Sequence, residues 1–451
     1  MASADTTHLL ESLASAGGEA ELFTASSDSL EVSFAAGKVK GAMAREVSGL
    51  GVRALREGKL GFVGCRDLSP EGLSRLEGNV AGSLAVGDPS ELEFPGPSQP
   101  ERASDELELY DPATAALETG DLLAAGQEVL GALQAEFPET VFDLTVRRSV
   151  GKVGLSNTRG HAHEDGYTVF SLSVEANKTE DEDVFMDWAS VSSTSRERAE
   201  PERVVEQLRQ RLTWGREIVD FKPGRYPVLF TPSGSLLLWS PLLQALSGKT
   251  VMLGTSPLRE KVGQQVVSPR IQLLDDGLLT GALGSSAFDD EGIPRRTRSL
   301  IEDGVLRGFV HSLETAQSCG HEPTGNGERG GATARPEPGF SNVLVRGGEQ
   351  SWRELLGSIE YGVLCHRVMG MGQGNTLPGT FSNPLDLAFL IEGGEVKGRI
   401  KDASIAGNVY ELLADERLGG LSQEVEPVGG SAFLPWLRIE DVNLVGKNQA
   451  G

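Results

Sequence analysis

Two imidazoles two residues apart, His161 and His163, followed at once by Glu164, are the side chains of this sequence whose types and spacing most directly suggest metal chemistry. On a strand, positions i and i+2 share a face, so His161 and His163 would form half of a site for a transition metal. The stretch also lies between Gly160 and Gly166, and the stronger reading is the polar edge of a loop. Asp289, Asp290 and Glu291 could divide acid and base roles among three carboxylates. Their place ahead of Gly292 and Pro294 fits better a turn that braces the fold. Cys365 and His366 adjoin, but neighbours on a strand point to opposite faces, so they do not make a nucleophile and base pair. Cys319 and His321 could share a face, with no acid placed to orient the imidazole and a loop as the default location. The acidic run from Glu180 to Asp183 reads as a solvated hairpin tip rather than a divalent-ion site. The glycine-rich runs Thr324–Gly327 and Gly370–Asn375 are not followed by Gly-Lys-Ser/Thr and open no strand-to-helix switch. They are long turns rather than phosphate loops.

The elements that must position these residues belong to a soluble, globular chain of 451 residues. With 39% hydrophobic and 24% charged residues it can bury sizeable cores. Lys and Arg number 41 against 65 Asp and Glu, and the resulting net charge of −24 repels phosphate backbones, which disfavours nucleic acid as a partner. Three cysteines without C-x-x-C spacing imply neither a disulfide framework nor a zinc knuckle. No basic segment precedes an apolar core at the N-terminus, and no apolar run approaches bilayer-spanning length, so the expectation is a cytoplasmic protein without a membrane partner.

The pattern predicts an α+β protein in three parts. Residues 1–100 read as an α/β part: a short helix over His8–Ala16 ended by Gly17-Gly18, an antiparallel sheet in which Leu30, Val32 and Phe34 alternate with polar residues, and a helix from Pro70. Gly87 to Ser104, with Pro89, Pro95, Pro97 and Pro100, reads as a linker. Residues 101–222 are a second α/β part, with helices before Pro138 and after Pro201 flanking strands from Val141 to Val191. Residues 223–451 read as mostly strand, largely antiparallel, with a few helices. Hairpins should turn at Asp303-Gly304 and Gly393-Gly394, and helices should be capped by Ser351 and Asn408.

The third part opens with an apolar strand, Tyr226–Phe230, and a helix through Leu237-Leu238-Trp239-Ser240-Pro241 that Gly248 should end, capped by Ser233 or, if shorter, by Ser240. After it come Asp275-Asp276-Gly277, the acidic turn ending in Pro294, and Thr297. This order of parts resembles the TldD/PmbA family of metallopeptidases, also called modulators of DNA gyrase, with weaker similarity from about residue 20 to 446.

The resemblance implies an N-terminal α/β part, a C-terminal part of curved, largely antiparallel sheet, and a dimer built around an enclosed chamber for unfolded peptides. In the TldD branch the helix carries His-Glu-x-x-x-His, which binds zinc and supplies the general base. The corresponding positions here are Trp239, Ser240 and Gln244, none of which can do that work. The region Val428-Gly429-Gly430-Ser431 has no counterpart of the TldD branch's C-terminal zinc-binding Cys. The chain is therefore identified with the PmbA (TldE) branch: no catalytic residue, no metal or cofactor of its own, and zinc only in a TldD-type partner. It would pair with that subunit or with itself to handle unfolded peptide. An independent peptidase using His161, His163 and Glu164, and a homodimeric peptide-binding scaffold, are the alternatives.

Overall fold

A computed structural model describes residues 3–15, 18–181 and 183–446. The first sheet is antiparallel throughout: β1 (Glu19–Ala35), β2 (Lys38–Arg56), β3 (Lys59–Cys65), β4 (Asp88–Pro89), β5 (Val141–Asn157), β6 (Ala162–Glu180) and β7 (Asp183–Ser193), in the order β4-β3-β2-β1-β5-β6-β7. Alternation dictates this. Val32 and Phe34 of β1, Leu144 and Val146 of β5, and Leu172 and Val174 of β6 are buried, and their odd-numbered neighbours face outward. The β2–β3 hairpin turns at Glu57-Gly58, both left-handed at φ 53° and 71°, the geometry that matches the twist of the flanking strands.

Residue 100, expected as a boundary, falls between two halves of this one sheet, because β1 pairs with β2 on one side and with β5 on the other. The proline-rich stretch around it is irregular after β4 but pinned. Leu92 and Phe94 pack with Leu60 and Leu313, and Leu107 and Leu109 with Leu278. The short helix α1 (Ser3–Ser15) and the longer α2 (Pro70–Ala85) cover the sheet near β1–β3, while the expected stop at Gly17 lies outside the described residues.

Helices α3 (Pro112–Ala115), α4 (Thr119–Glu136), α5 (Arg196–Ala199) and α6 (Glu202–Trp214) follow. The apolar stripes of α4 (Leu122, Val129, Leu133) and α6 (Val204, Leu208, Leu212) share one core with the first sheet and with Leu229, Leu364, Phe389 and Trp436 of the second. The acidic hairpin tip between β6 and β7 is less free than its composition suggests, since Asp183 is ion-paired to Arg399 and Lys401 of the third part.

The second sheet contains β8 (Gly224–Phe230), β9 (Leu273–Asp276), β10 (Thr297–Glu302), β11 (Val305–Leu306), β14 (Val343–Val345), β15 (Tyr361–Val368), β16 (Thr380–Glu392), β17 (Glu395–Arg399), β18 (Ala403–Asn408), β19 (Leu418–Val428) and β20 (Ala432–Gly446). A separate ribbon joins β12 (Gly327–Arg329) and β13 (Pro336–Pro338). The hairpins turn at Asp303-Gly304 and Gly393-Gly394, as the sequence predicts. Because β8 pairs with both β15 and β20, the strands β20-β18-β16-β15-β8 close into a ring. Helices α7 (Pro232–Leu246), α8 (Gly248–Met252), α9 (Leu313–Cys319), α10 (Trp352–Gly357) and α11 (Val409–Leu412) decorate this sheet, and Ser351 and Asn408 cap α10 and α11 as expected.

Helix α7 packs on the ring, with Leu238, Trp239 and Leu242 in one core with Val228, Phe230, Val363 and Leu437. Its cap is Thr231, whose hydroxyl accepts from Gly234 N at 3.1 Å, rather than Ser233 or Ser240. A cap two residues before Ser233 puts Pro232 at the first helical position, where its missing N–H costs nothing. Nor does Gly248 serve as the stop. Ser247 closes α7 and caps α8, while Gly248 N donates to Val310 O at 2.7 Å in a contact with no room for a side chain. A Cβ on Gly234 would likewise run into the Cys365 carbonyl where α7 meets β15. Gly234→Ala is therefore expected to lower stability by about 2 kcal/mol in urea denaturation, and an unchanged midpoint would contradict this close packing.

Candidate functional site

Helix α7 divides the three residues at the family's zinc-motif positions. Trp239 is fully buried, and its Nε1 has no hydrogen-bond partner among the described residues. Ser240 and Gln244, four residues apart and so on one helical face, look instead into a cleft of ≈ 710 Å³. Its opposite wall is the glycine-rich loop 369–379 and the start of β16. Gly370, Gly372, Gly374 and Gly379 sit at φ between 69° and 79°, a conformation that L side chains rarely adopt, so glycines set the path of this loop. Thr376 Oγ1 donates to Gln244 Oε1 at 2.6 Å and ties the loop to the helix, while Met369 and Met371 stay exposed.

The cleft has no ionisable side chain in its lining. Zinc does not fit the donor set at the motif positions: an indole only donates, a hydroxyl is a poor base, and an amide is a weak ligand that here already accepts from Thr376. The arrangement can hold a ligand through neutral hydrogen bonds and methionine contacts, and it has no group with which to activate water. The Val428–Ser431 region forms the turn between β19 and β20. Gly430 there, where a Cβ would run into Leu283, lines a different cavity from Ser240 and Gln244.

The structure unites two features that are far apart in sequence. His161 and His163 share a hydrogen bond, Nε2 to Nδ1 at 2.9 Å, and both rings pack on Phe288 at the head of the acidic turn, with centroids 4.9 and 4.8 Å away. Burial, with His161 beside it, pushes the His163 imidazole down to about 4. Glu164 does not join them. It points out to solvent and pairs with Lys152 at 3.2 Å. Among the described residues no group of three His, Cys, Asp or Glu is placed to hold an ion.

The acidic turn braces the fold, as its glycine and proline suggest. Asp289 accepts from the backbone N–H groups of Glu291, Ile293 and Gly327 at 2.8–3.0 Å, and burial next to Glu291 raises its pKa. Glu291 reaches Arg53 Nη1 at 2.5 Å, and Arg53 also donates to both oxygens of Glu21 at 2.9 and 2.7 Å. Arg329 adds a further donor to Glu21 at 2.5 Å. These four side chains are at most 3% exposed. Burial alone would lower the Arg53 pKa, and the two carboxylates more than reverse it. Sequence reading missed Glu21, Arg53 and Arg329. The available signal was Arg53 standing between Val52 and Ala54 in the otherwise apolar run 49–55 of β2.

Cys365 and His366 do not cooperate. The Cys365 thiol is buried and pushed up to about 12, and His366 Nδ1 is 2.9 Å from Thr231 Oγ1 on the other side of the strand. Cys319 ends α9, Gly320 closes it in the left-handed conformation, and His321 stacks on His311.

Comparison with known proteins matches residues 223–446 to the PmbA/TldA metallopeptidase C-terminal domain and residues 20–77 to the PmbA/TldA metallopeptidase domain 1. A metalloprotease of Methanocaldococcus jannaschii is 32% identical over 191 residues, 42% of each chain. A metalloprotease TldD homolog of Haemophilus influenzae is 29% identical over 224 residues, 47% of this chain and 46% of the relative. The chain thus spans about half the length of the curated relatives it matches. The crystal structure of TldE from Thermococcus kodakarensis superposes with a TM-score of 0.86 at 26% identity, covering 98% of this chain and 100% of that one.

Arg53→Met removes a cation from between two buried carboxylates and should cost about 3–5 kcal/mol. A cycle with Glu291→Gln should show coupling of at least about 1 kcal/mol, and simple additivity in chemical denaturation would argue that the two do not interact. The His163 pKa is depressed in the folded chain, so its contribution is present above the unfolded value near 6.5 and is lost as pH falls toward 4. His163 alone should therefore contribute a drop of roughly 2 kcal/mol over that interval, beside those of His311 and His366, whose imidazoles burial also holds below the usual value. His163→Phe should remove that share of the pH dependence, and a variant with the same pH profile as wild type would count against the assignment.

Proposed function

The chain belongs to the PmbA/TldD metallopeptidase family, and on that premise we propose that it is a non-catalytic, PmbA/TldE-like subunit that helps enclose a chamber in which a zinc-bearing TldD-type partner cleaves unfolded peptide. The observation that carries this reading is helix α7. At the positions where the TldD branch places His, Glu and His, it has a core tryptophan, a serine and a hydrogen-bonded glutamine. The likeness to TldE over nearly the whole chain supports it.

The subunit's contribution is then size exclusion and positioning. It walls off folded proteins, offers extended peptide a neutral cleft, and leaves water activation to the partner. A pairing through the third part, two-fold or mixed, accounts for such a chamber. No helix of the described residues is long and apolar enough to cross a membrane.

The purified chain is expected to hold far less than one zinc per molecule by elemental analysis and to leave casein and unstructured peptides intact. Trp239→His, Ser240→Glu and Gln244→His together should not create activity, because the remaining thiolate and the groups that orient the ligands are absent. Addition of a TldD-type subunit from the same source should produce a mixed complex by light scattering and peptide cleavage abolished by a chelator. Stoichiometric zinc, or chelator-sensitive cleavage by the chain alone, would overturn the proposal.

A further inference from the structure

Strands β5, β6 and β7 carry two rows of polar side chains that the proposed function does not use. In register, Arg147 faces Ser171, which faces Ser192, and Thr145 faces Ser173, which faces Ser190. Directly opposed residues of an antiparallel pair lie on one face. The alternate positions Val146, Leu172, Val174, Ala189 and Val191 are buried on the other. Four serines, a threonine and a guanidinium are thus gathered on one side of the sheet. None of the five hydroxyls takes part in a hydrogen bond within the described residues.

These residues line a cavity of ≈ 340 Å³ that Glu31, Arg198, Arg203 and the Gly429-Gly430 turn complete. Its lining has three arginines against one carboxylate, on a chain whose net charge is −24. Two of the three are loosely held. Arg147 is 3.7 Å from Glu31, and its buried Nε has no hydrogen-bond partner. Arg203 is 3.4 Å from Glu200 and 3.9 Å from Glu426. Arg198 is paired to Glu108. Guanidinium forks beside free hydroxyls are the donor set that recognises oxyanions, and the volume lies at the small-molecule end of ligand sites.

We propose that this cavity binds a small ligand carrying a carboxylate or phosphate group, which engages Arg147 and Arg203 through charge-assisted hydrogen bonds and the serine rows through their hydroxyls. Glu31 is the internal competitor for Arg147. Its carboxylate stands where an incoming oxyanion would be attracted, and it weakens binding without being part of the donor set.

Calorimetric titration of the full chain with inorganic phosphate and with N-acetylglycine, using N-acetylglycinamide as the uncharged control, tests the proposal and separates the two sources of the oxyanion. At least one anion should bind saturably and the amide should not. Binding by phosphate alone assigns a phosphate ligand, and binding by the acid alone a carboxylate. Arg147→Gln should weaken binding about tenfold or more, the loss of one charged hydrogen bond. Glu31→Gln should tighten it several-fold, a change of opposite sign that a general loss of structure cannot mimic and that remains decisive if Arg147→Gln does not fold. Absence of saturable binding by both anions, equal binding of the amide, or Glu31→Gln binding no tighter than wild type would each refute the site.

Discussion

The contact on which the rest of the architecture depends is the guanidinium of Arg53, enclosed between Glu21 and Glu291. Glu21 and Arg53 come from paired strands of the first sheet, and Glu291 from the acidic turn of the third part, so one buried charge joins regions more than two hundred residues apart. Such a charge is tolerable only when every partner is in place, because a lone ion in this interior would forfeit several kcal/mol of solvation. Arg329 completes the set by satisfying the remaining demand of Glu21. The network therefore works less as a source of net stability than as a condition on geometry. The acidic turn can sit only where the arginine is, and Phe288, His161 and His163 are packed against one another as a consequence.

Above this junction the chain is layered as first sheet, α4 and α6, second sheet, then α7. The layering is written in the two-sided burial of the central strands. Val228 and Phe230 of β8 face α7 while Leu229 between them faces the middle helices, and Val363, Leu364 and Cys365 of β15 repeat the pattern. A strand buried on both faces cannot alternate in hydrophobicity, and these do not. Helix α7 packs on the face of these strands that bears Val228 and Phe230, which is why its residues near the cleft divide so sharply between core and solvent.

That division separates core packing from ligand contact along α7. Position 239 contributes a large apolar side chain to a packed core, and positions 240 and 244 contribute neutral hydrogen-bonding groups to a cleft shaped by glycines. Binding needs only complementary shape and donors, whereas hydrolysis needs a metal or a base at a matched pKa.

Much of this was determined by the sequence alone. Periodicity marks the long strands of the first sheet and the stripes of α4 and α6, and Gly-containing turns place the hairpins at 303–304 and 393–394, because side-chain spacing and left-handed backbone are local properties. The unsuitability of Trp239, Ser240 and Gln244 for zinc is likewise a matter of residue chemistry. What only the tertiary structure decided depends on contacts between distant segments: that residues 19–65 and 141–193 form one sheet across the proline-rich strap, that Thr231 rather than Ser233 caps α7, and that Asp183 is tied to Arg399. Glu164 turns away from the imidazoles, while Arg53 and Glu291 meet. No window of sequence contains both partners of a long-range ion pair or of a strand pairing, so their energy becomes visible only once the chain has closed on itself.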